Sequence, residues 1–276
     1  MIGVSPAYFI SRFSSCFTID DYIKGIRELS KSKFDAFQAE TYLPSELNNW
    51  VKRAKEVLSC ANDEGIRISQ YVAHFLLDIF SCEDLITSSR CVEEWKKAIE
   101  VANILNVDTI TLPINAYEDE KINNNIINYA YDKLILFCML GKKANLNIGI
   151  ELLPYSIFKN SIGLIKAIED TELDNLGLNF DTGHAILSGD NIYSIPSLFS
   201  GRIYATHLKD ISKKTDTPIL LGEQEGVINW AKLLNSLKKE GYGNSFDIEF
   251  ISTEKEEATI NYEKGRDFLL QILQSN

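Results

Sequence analysis

The sequence predicts a closed (β/α)₈ barrel, in which eight parallel strands alternate with helices within a single domain over residues 1–276. Eight short apolar runs of β-rich composition recur, and eight such units in 276 residues average about 34 residues each. Segments with the apolar spacing of amphipathic helices lie between most of them. No glycine-rich phosphate motif follows the first run, which weakens the runner-up, an open doubly wound sheet.

The predicted strands are short apolar runs, in chain order MIGVSPAYF, FDAFQAE, IRISQYVAH, VDTITLPI, LNIGIELL, LGLNFDTG, RIYATHL and SFDIEF. The predicted helices are DDYIKGIRELSKS, SELNNWVKRAKEVLSCAND, EEWKKAIEVANIL, NNIINYAYDKLILFCMLGKKA, NSIGLIKAIEDTE, NWAKLLNSLKKEG and the closing EEATINYEKGRDFLLQILQ. Gly65 and Gly241 each follow one of these helices, as C-terminal glycines commonly do. The connection FLLDIFSCEDLITSSRCV is too long for a simple βα loop, so we expect it at the rim of an active site.

Composition excludes several classes of partner. Thirty-nine acidic and 28 basic residues give a net charge of -11, which repels nucleic acid and anionic membranes. Five cysteines without a CxxC pair are typical of reduced thiols in the cytosol. The first residues lack a basic start and are interrupted by Pro6 and Arg12, and no run approaches the roughly 20 apolar residues of a membrane span. We therefore expect a soluble, cytoplasmic protein without nucleic-acid or membrane partners.

Acidic residues and all three histidines stand where predicted strands end. The C-terminal ends of all strands in a barrel meet on one face, so these side chains are expected to form a site. The residues are Glu40, His74, Glu151, Asp181 with His184 just beyond it, His207 and Glu249.

Four of these residues predict a metal site. Glu151, Asp181, His207 and Glu249 end four consecutive strands, and four buried anionic or polar groups would be unfavourable without a cation. Three carboxylates and one imidazole suit one octahedral Mn²⁺, Mg²⁺ or Co²⁺ ion, with Zn²⁺ as an alternative. Four protein ligands leave two positions, enough for the carbonyl and neighbouring hydroxyl of a sugar.

Together, the motifs FDAFQAE, IELLP, NFDTGHA, ATHLKD, GEQEGVINW and FDIEF resemble the xylose isomerase-like barrels across essentially the whole chain. That superfamily includes sugar and sugar-phosphate isomerases, ketose 3-epimerases, inosose dehydratases and the family 2 apurinic endonucleases. The resemblance implies a metal held by the four residues above, acid–base roles for Glu151 and Glu249, and a substrate position for His184 and Glu40. It also implies a homo-oligomer, because barrels of this family often pair into dimers or tetramers.

The resemblance favours a metal-dependent isomerase or epimerase that moves a proton through a metal-stabilised enediolate of a sugar, sugar phosphate or polyol. We also expect His74 to bind the substrate, and Lys213 to do so where the 3-epimerases tend to carry an arginine. Because Ile157 replaces a glutamate of those enzymes, the substrate and its stereocentre stay open, as do an inosose-type dehydratase and a non-catalytic sugar-binding barrel. The nuclease branch is disfavoured, since TLPIN and GEQEG lack its additional metal ligands.

Overall fold

Parallel strands form the centre of the computed structural model, which describes residues 1–89, 91–252 and 254–275. In chain order the strands are β1 (Ile2–Val4), β2 (Ala36–Glu40), β3 (Arg67–Val72), β4 (Thr109–Ile114), β5 (Asn147–Leu152), β6 (Leu176–Asp181), β7 (Ile203–His207), β8 (Asp210–Ile211), β9 (Pro218–Ile219) and β10 (Phe246–Ile248). Strands β8 and β9 pair with each other in antiparallel fashion. The other eight form one sheet in the order β10, then β1 to β7.

The barrel closes where the two ends of this sheet meet. Strand β10 pairs with β1 in parallel, with Gly3 opposite Asp247. On its other side, a parallel bridge joins Ile248 to Leu208, just beyond β7. The Leu208 amide donates to the Asp247 carbonyl at 2.8 Å, and the Glu249 amide donates to the Leu208 carbonyl at 2.9 Å. The predicted (β/α)₈ barrel is confirmed.

Helices occupy the connections between strands. They are α1 (Ala7–Phe13), α2 (Ile19–Lys31), α3 (Leu47–Asp63), α4 (Glu83–Thr87), α5 (Val92–Leu105), α6 (Asn124–Lys143), α7 (Ser161–Thr171), α8 (Thr182–Leu187), α9 (Ile195–Leu198), α10 (Trp230–Lys239) and α11 (Ala258–Gln274). Short 3₁₀ helices cover Pro44–Glu46, His74–Phe80, Asp119–Lys121 and Lys255–Glu257. Every helix expected from the sequence is present, whereas α1, α4, α8 and α9 were not expected.

The first apolar run was only half correctly interpreted. MIGVSPAYF was expected to be one strand, but β1 ends at Val4 and α1 begins at Ala7. Pro6 is the reason: its φ of −58° and ψ of −20° are helical, and it has no N–H to donate to a sheet. The long connection after β3 also folds further than expected, because His74 begins a 3₁₀ helix and α4 follows it. Arg90, within that connection, lies outside the described residues.

Helix α2 illustrates why the outer helices form where the sequence predicts them. Thr18 caps its first turn by accepting from the Asp21 amide, and the Asp21 carboxylate accepts from the Thr18 amide. Tyr22, Ile26 and Leu29 then follow at helical spacing, and all three are buried. This face packs onto the barrel, with the Tyr22 ring stacked at 3.8 Å on that of Phe9. Burial of the apolar stripe therefore fixes the helix against the sheet.

Two predictions from composition concern the cysteines and the membrane. Cys16, Cys60, Cys82 and Cys138 carry free thiols; Cys16 is exposed, Cys82 is half-buried, and Cys60 and Cys138 are buried, as is Cys91. Among the described residues, every helix is either too short or too polar to cross a bilayer.

Candidate active site

The ends of β5, β6, β7 and β10 bring four predicted residues together. Asp181 and His207 are the last residues of adjacent strands and pair in register. Glu151 is the fifth residue of β5, and Glu249 immediately follows β10. One ligand atom from each of the four lies within 4.8 Å of the others, and all but the half-buried Glu249 are buried. We call these four residues the strand-end cluster.

His207 lies between the carboxylates of the cluster. Its Nδ1 atom is 2.8 Å from Glu151 Oε1, 2.9 Å from Glu249 Oε2 and 3.9 Å from Asp181 Oδ2. Burial alone would lower the pKa of His207, but the two glutamates outweigh it and raise that pKa well above its usual value. Burial also favours the neutral acid at Glu249, yet His207 and Lys209 hold the pKa of Glu249 well below its usual range. Without a metal ion, the negative charge of the carboxylates is therefore balanced by the protonated ring of His207 and by Lys209.

That lysine, Lys209, is the site residue that the sequence interpretation undervalued. A loop lysine ordinarily faces solvent, but only 6% of Lys209 is exposed. Its Nζ atom lies 2.8 Å from Asp181 Oδ2, 2.7 Å from Glu249 Oε1 and 3.1 Å from His184 Nε2. The available signal was spacing, because alternate residues of an extended chain point to the same side and Lys209 is two residues after His207.

Thr182 holds this extended segment in place. Its hydroxyl donates to the Lys209 carbonyl at 2.6 Å and accepts from the Lys209 amide at 3.0 Å. The adjacent Gly183 leaves room for the lysine stem, since a Cβ there would meet Lys209 Cγ at 2.7 Å. The loop after β6 thus shapes the path of the buried ammonium.

His184 and Glu40 lie beside the cluster, as predicted. The His184 amide donates to Asp181 Oδ1 at 2.7 Å, and its Nδ1 atom is 3.4 Å from Asp181 Oδ2 and 3.8 Å from Glu151 Oε1. Its side chain keeps 20% exposure, which places it at the open edge of the site. Glu40 is buried, and desolvation together with the charge of Glu151 raises its pKa well above its usual range. These surroundings therefore favour the neutral acid form of Glu40.

The remaining two predicted substrate residues lie in different surroundings. His74 stacks on Tyr42 with ring centroids 4.2 Å apart, and burial lowers its pKa, so the ring is neutral. Lys213 follows β8, where its side chain is exposed and its amide donates to the Glu225 carbonyl at 2.9 Å. The lysine that the structure places inside the site is Lys209, and a role for Lys213 stays a prediction.

The loop GEQEGVINW is fastened to the site by Asp210. Asp210 Oδ1 accepts from the amides of Val227 and Ile228 at 2.9 and 3.3 Å, and Oδ2 accepts from Trp230 Nε1 at 2.8 Å. Asn229 caps α10 by accepting from the Lys232 amide, and Trp230 is buried. Asp210, the first residue of β8, thus anchors a rim loop, which the sequence did not reveal.

One protein-family model matches the chain over most of its length. The model of the xylose isomerase-like TIM barrel matches residues 26–272. The chain belongs to this family.

One protein similar to this chain is an inosose isomerase of Halalkalibacterium halodurans, which is 22% identical over 187 residues, or 64% of this chain. The match covers 65% of that relative, just under two thirds of its length. An L-ribulose-5-phosphate 3-epimerase of Escherichia coli is 23% identical over 227 residues, covering 80% of this chain and 78% of the relative.

Solved structures share the fold of this xylose isomerase-like barrel. An L-ribulose 3-epimerase superposes with a TM-score of 0.79 at 18% identity, covering 99% of this chain and 94% of that one. The IolI protein, described with a bound zinc atom, superposes with a TM-score of 0.78 at 18% identity over 98% of both chains.

The strand-end cluster fits a divalent metal ion on its own chemistry. Three carboxylates and one imidazole are an oxygen-rich donor set of the kind that Mn²⁺, Mg²⁺ and Co²⁺ accept, and Zn²⁺ tolerates. Asp181 Oδ2 is buried and, despite the nearby ammonium of Lys209, takes no well-directed hydrogen bond from the described residues. Its charge is paired with Lys209, but it keeps lone pairs free to coordinate a cation.

Proposed function

We propose that the chain is a divalent-metal-dependent isomerase or epimerase of a ketose, a ketose phosphate or a related cyclic polyol ketone. One observation carries the proposal: three carboxylates and an imidazole converge within 4.8 Å at the C-terminal ends of the strands of a xylose isomerase-like barrel. Active sites of such barrels lie at that face. The names of the relatives, an inosose isomerase and an L-ribulose-5-phosphate 3-epimerase, support this reaction class.

Glu151, Asp181, His207 and Glu249 would hold the ion, with the nitrogen Nδ1 of His207 facing the carboxylates. When bound, a divalent ion supplies Lewis acidity that polarises a substrate carbonyl and favours loss of a proton from the neighbouring carbon. The chain's own side chains then have to move that proton.

Glu151 and Glu249 are assigned to proton transfer. Glu151 lies near the end of β5 and Glu249 just after β10, and both contact His207 Nδ1, at 2.8 and 2.9 Å. These interactions with His207 lower the pKa of each despite burial. Each therefore has an ionised form able to accept a proton at neutral pH. One removes the proton from carbon and the other returns it, while Lys209 holds Glu249 through its 2.7 Å contact.

Three other groups are assigned to the substrate. Neutral Glu40 can donate to a hydroxyl or carbonyl oxygen, which an ionised carboxylate could not do. The partly exposed His184 can contact a hydroxyl at the open edge. The stacked pair of His74 and Tyr42 offers a ring face against which the apolar side of a sugar can pack.

Solvent exchange tests this function directly. Metal-loaded protein is incubated in D₂O with free ketoses, ketose 5-phosphates and an inosose, and deuterium at the carbon next to the carbonyl is followed by NMR. Wild type should introduce deuterium into at least one of these compounds. Glu151→Gln and Glu249→Gln should each abolish exchange, whereas Glu223→Gln, at an exposed rim position, should retain it.

Either active-site variant at full activity would refute the roles assigned to the glutamates. Exchange accompanied by loss of water would instead establish the dehydratase alternative. Binding of the ion and of a ketose without any exchange would leave the non-catalytic sugar-binding barrel as the correct interpretation.

A further inference from the structure

A buried amide lies directly behind His207. Gln38, in the middle of β2, is fully buried, and its Oε1 atom is 2.8 Å from His207 Nε2. Its own Nε2 atom donates to Asp247 Oδ2 at 2.8 Å and to the Thr206 carbonyl at 3.3 Å. Because the amide nitrogen faces two acceptors, the amide oxygen must face the imidazole.

This orientation decides the protonation of the imidazole. A carbonyl oxygen can only accept a hydrogen bond, so His207 Nε2 must carry the hydrogen. Without an ion, a second hydrogen on Nδ1 satisfies the two glutamates. A bound ion would take the place of that hydrogen, so the ring would keep its Nε2 hydrogen and present the lone pair of Nδ1. Nδ1 is the atom that faces Glu151 and Glu249.

A second amide, that of Asn179, would require the opposite protonation of His207 Nε2, but fewer hydrogen bonds fix its orientation. Asn179 Nδ2 lies 3.2 Å from the same His207 Nε2 atom and would require it to be an acceptor. Its Oδ1 atom has no hydrogen-bond partner among the described residues, so nothing else fixes this amide. Gln38 is closer to His207, and both its amide oxygen and its amide nitrogen are hydrogen-bonded. The contact with Gln38 therefore determines that Nε2 carries the hydrogen.

Asp247, which accepts a hydrogen bond from Gln38, lies in the barrel interior, where a glycine at position 3 leaves space for its carboxylate. Asp247 is a carboxylate in the barrel interior with 1% exposure, and it also accepts from Ser69 Oγ at 3.2 Å. A Cβ at Gly3 would meet Asp247 Oδ1 at 2.0 Å, so only glycine leaves space there. Burying a carboxylate is costly, and here three strands contribute to placing one behind the amide.

We propose that Gln38, anchored by Asp247, is a positioning residue that fixes His207 in the Nε2–H tautomer and thereby selects Nδ1 as the metal ligand. The inference rests on the metal site of the proposed function. Gln38 contacts the side of the ring opposite the strand-end cluster and takes no part in the reaction itself. Groups that orient metal-binding histidines in this way typically change metal affinity by about 10- to 100-fold when they are removed.

The test compares Gln38→Leu with Gln70→Leu. Gln70 is also fully buried, on the neighbouring β3, and accepts from the Thr111 hydroxyl, so it is a matched control that does not touch His207. Chelator-treated proteins are titrated with Mn²⁺ by calorimetry. Q38L should raise the Kd about 10- to 100-fold, and Q70L should leave it within about threefold of wild type.

A spectroscopic readout separates tautomer control from general damage. With only three histidines, nitrogen-15 NMR of the Zn²⁺-loaded protein can resolve the ring of His207. An ion bound to Nδ1 leaves the ring hydrogen on Nε2 in every variant, so the measured property is the environment of that hydrogen. In wild type and Q70L the hydrogen bond to Gln38 should shift its resonance downfield and protect it from exchange with solvent, and Q38L should lose both effects. If Q38L does not fold, Gln38→Met, which keeps the length of the side chain without an oxygen acceptor, takes its place.

A variant at position 38 whose Nε2–H resonance stays downfield and protected from exchange overturns the proposal whatever its Kd, and so does an equal loss of affinity in Q70L. The wild-type titration reports separately on the metal site. If wild type binds no divalent ion, the proposed function fails and this inference fails with it. If wild type binds the ion and Q38L matches it, only the role of Gln38 is refuted.

Discussion

Metal addition should stabilise the folded chain by an amount that can be calculated. Chelator-treated protein is melted with and without Mn²⁺ at 100 times its dissociation constant, where binding to the native state contributes about 2.7 kcal/mol. In a chain of 276 residues, each kcal/mol is worth roughly 2–4 °C, so the melting temperature should rise by about 5–10 °C. Differential scanning calorimetry measures the shift.

Two histidine variants show whether the ion binds at the strand-end cluster. In His207→Ala, losing one of four ligands should weaken binding on the order of 100-fold, so the same Mn²⁺ concentration equals the new Kd. The stabilisation then falls to about 0.4 kcal/mol, or roughly 1–2 °C. His74→Ala removes a histidine outside the cluster and should keep the full shift. Comparing shifts within each variant cancels the cost of leaving carboxylates unpaired.

Either of two results would refute the reasoning. Wild type without a shift for Mn²⁺, Mg²⁺, Co²⁺ or Zn²⁺ would mean that the four residues do not bind a metal. An undiminished shift in His207→Ala would place the ion elsewhere.

Three further predictions concern the surroundings of the site. Lys209→Met should lower the melting temperature in chelator by about 6–20 °C, because an unpaired buried charge costs about 3–5 kcal/mol, and should enlarge the Mn²⁺-induced shift; an unchanged metal-free melt would contradict this. Gly3→Ala should reduce the free energy of unfolding in urea by about 1–3 kcal/mol, because its Cβ would overlap Asp247 Oδ1; wild-type stability would disprove the close packing. Trp230→Phe removes the 2.8 Å hydrogen bond to the Asp210 carboxylate and should cost about 1.5–3 kcal/mol by the same measurement, with faster proteolysis of the rim loop as a second readout.

The sequence alone was sufficient to predict the barrel and the convergence of the strand-end cluster. Apolar runs alternating with helical periodicity leave few topologies, and parallel strands joined by helices must present all their C-terminal ends on one face. Glu151, Asp181, His207 and Glu249 were recognisable because each ends such a run. Residues at the ends of strands can therefore be brought together by reasoning about direction only, without knowing any side-chain conformation.

Tertiary structure decided which side chains complete the site. Lys209 and Lys213 are four residues apart in one polar loop, yet the first is buried against carboxylates and the second is exposed. Spacing does not separate them, because both lie an even number of residues after His207. Hydrogen bonds with Thr182, in the first turn of α8, hold Lys209 at the site.

The same limit applies to the groups behind His207. Gln38 and Asp247 lie 169 and 40 positions from it along the chain, and nothing in their local sequence links them to an imidazole. They meet because the closed sheet places β10 beside β1 and brings the interior side chains of distant strands into one layer. Local patterns determine strands and their direction, whereas contacts across the barrel depend on register and closure, which exist only once the whole chain has folded.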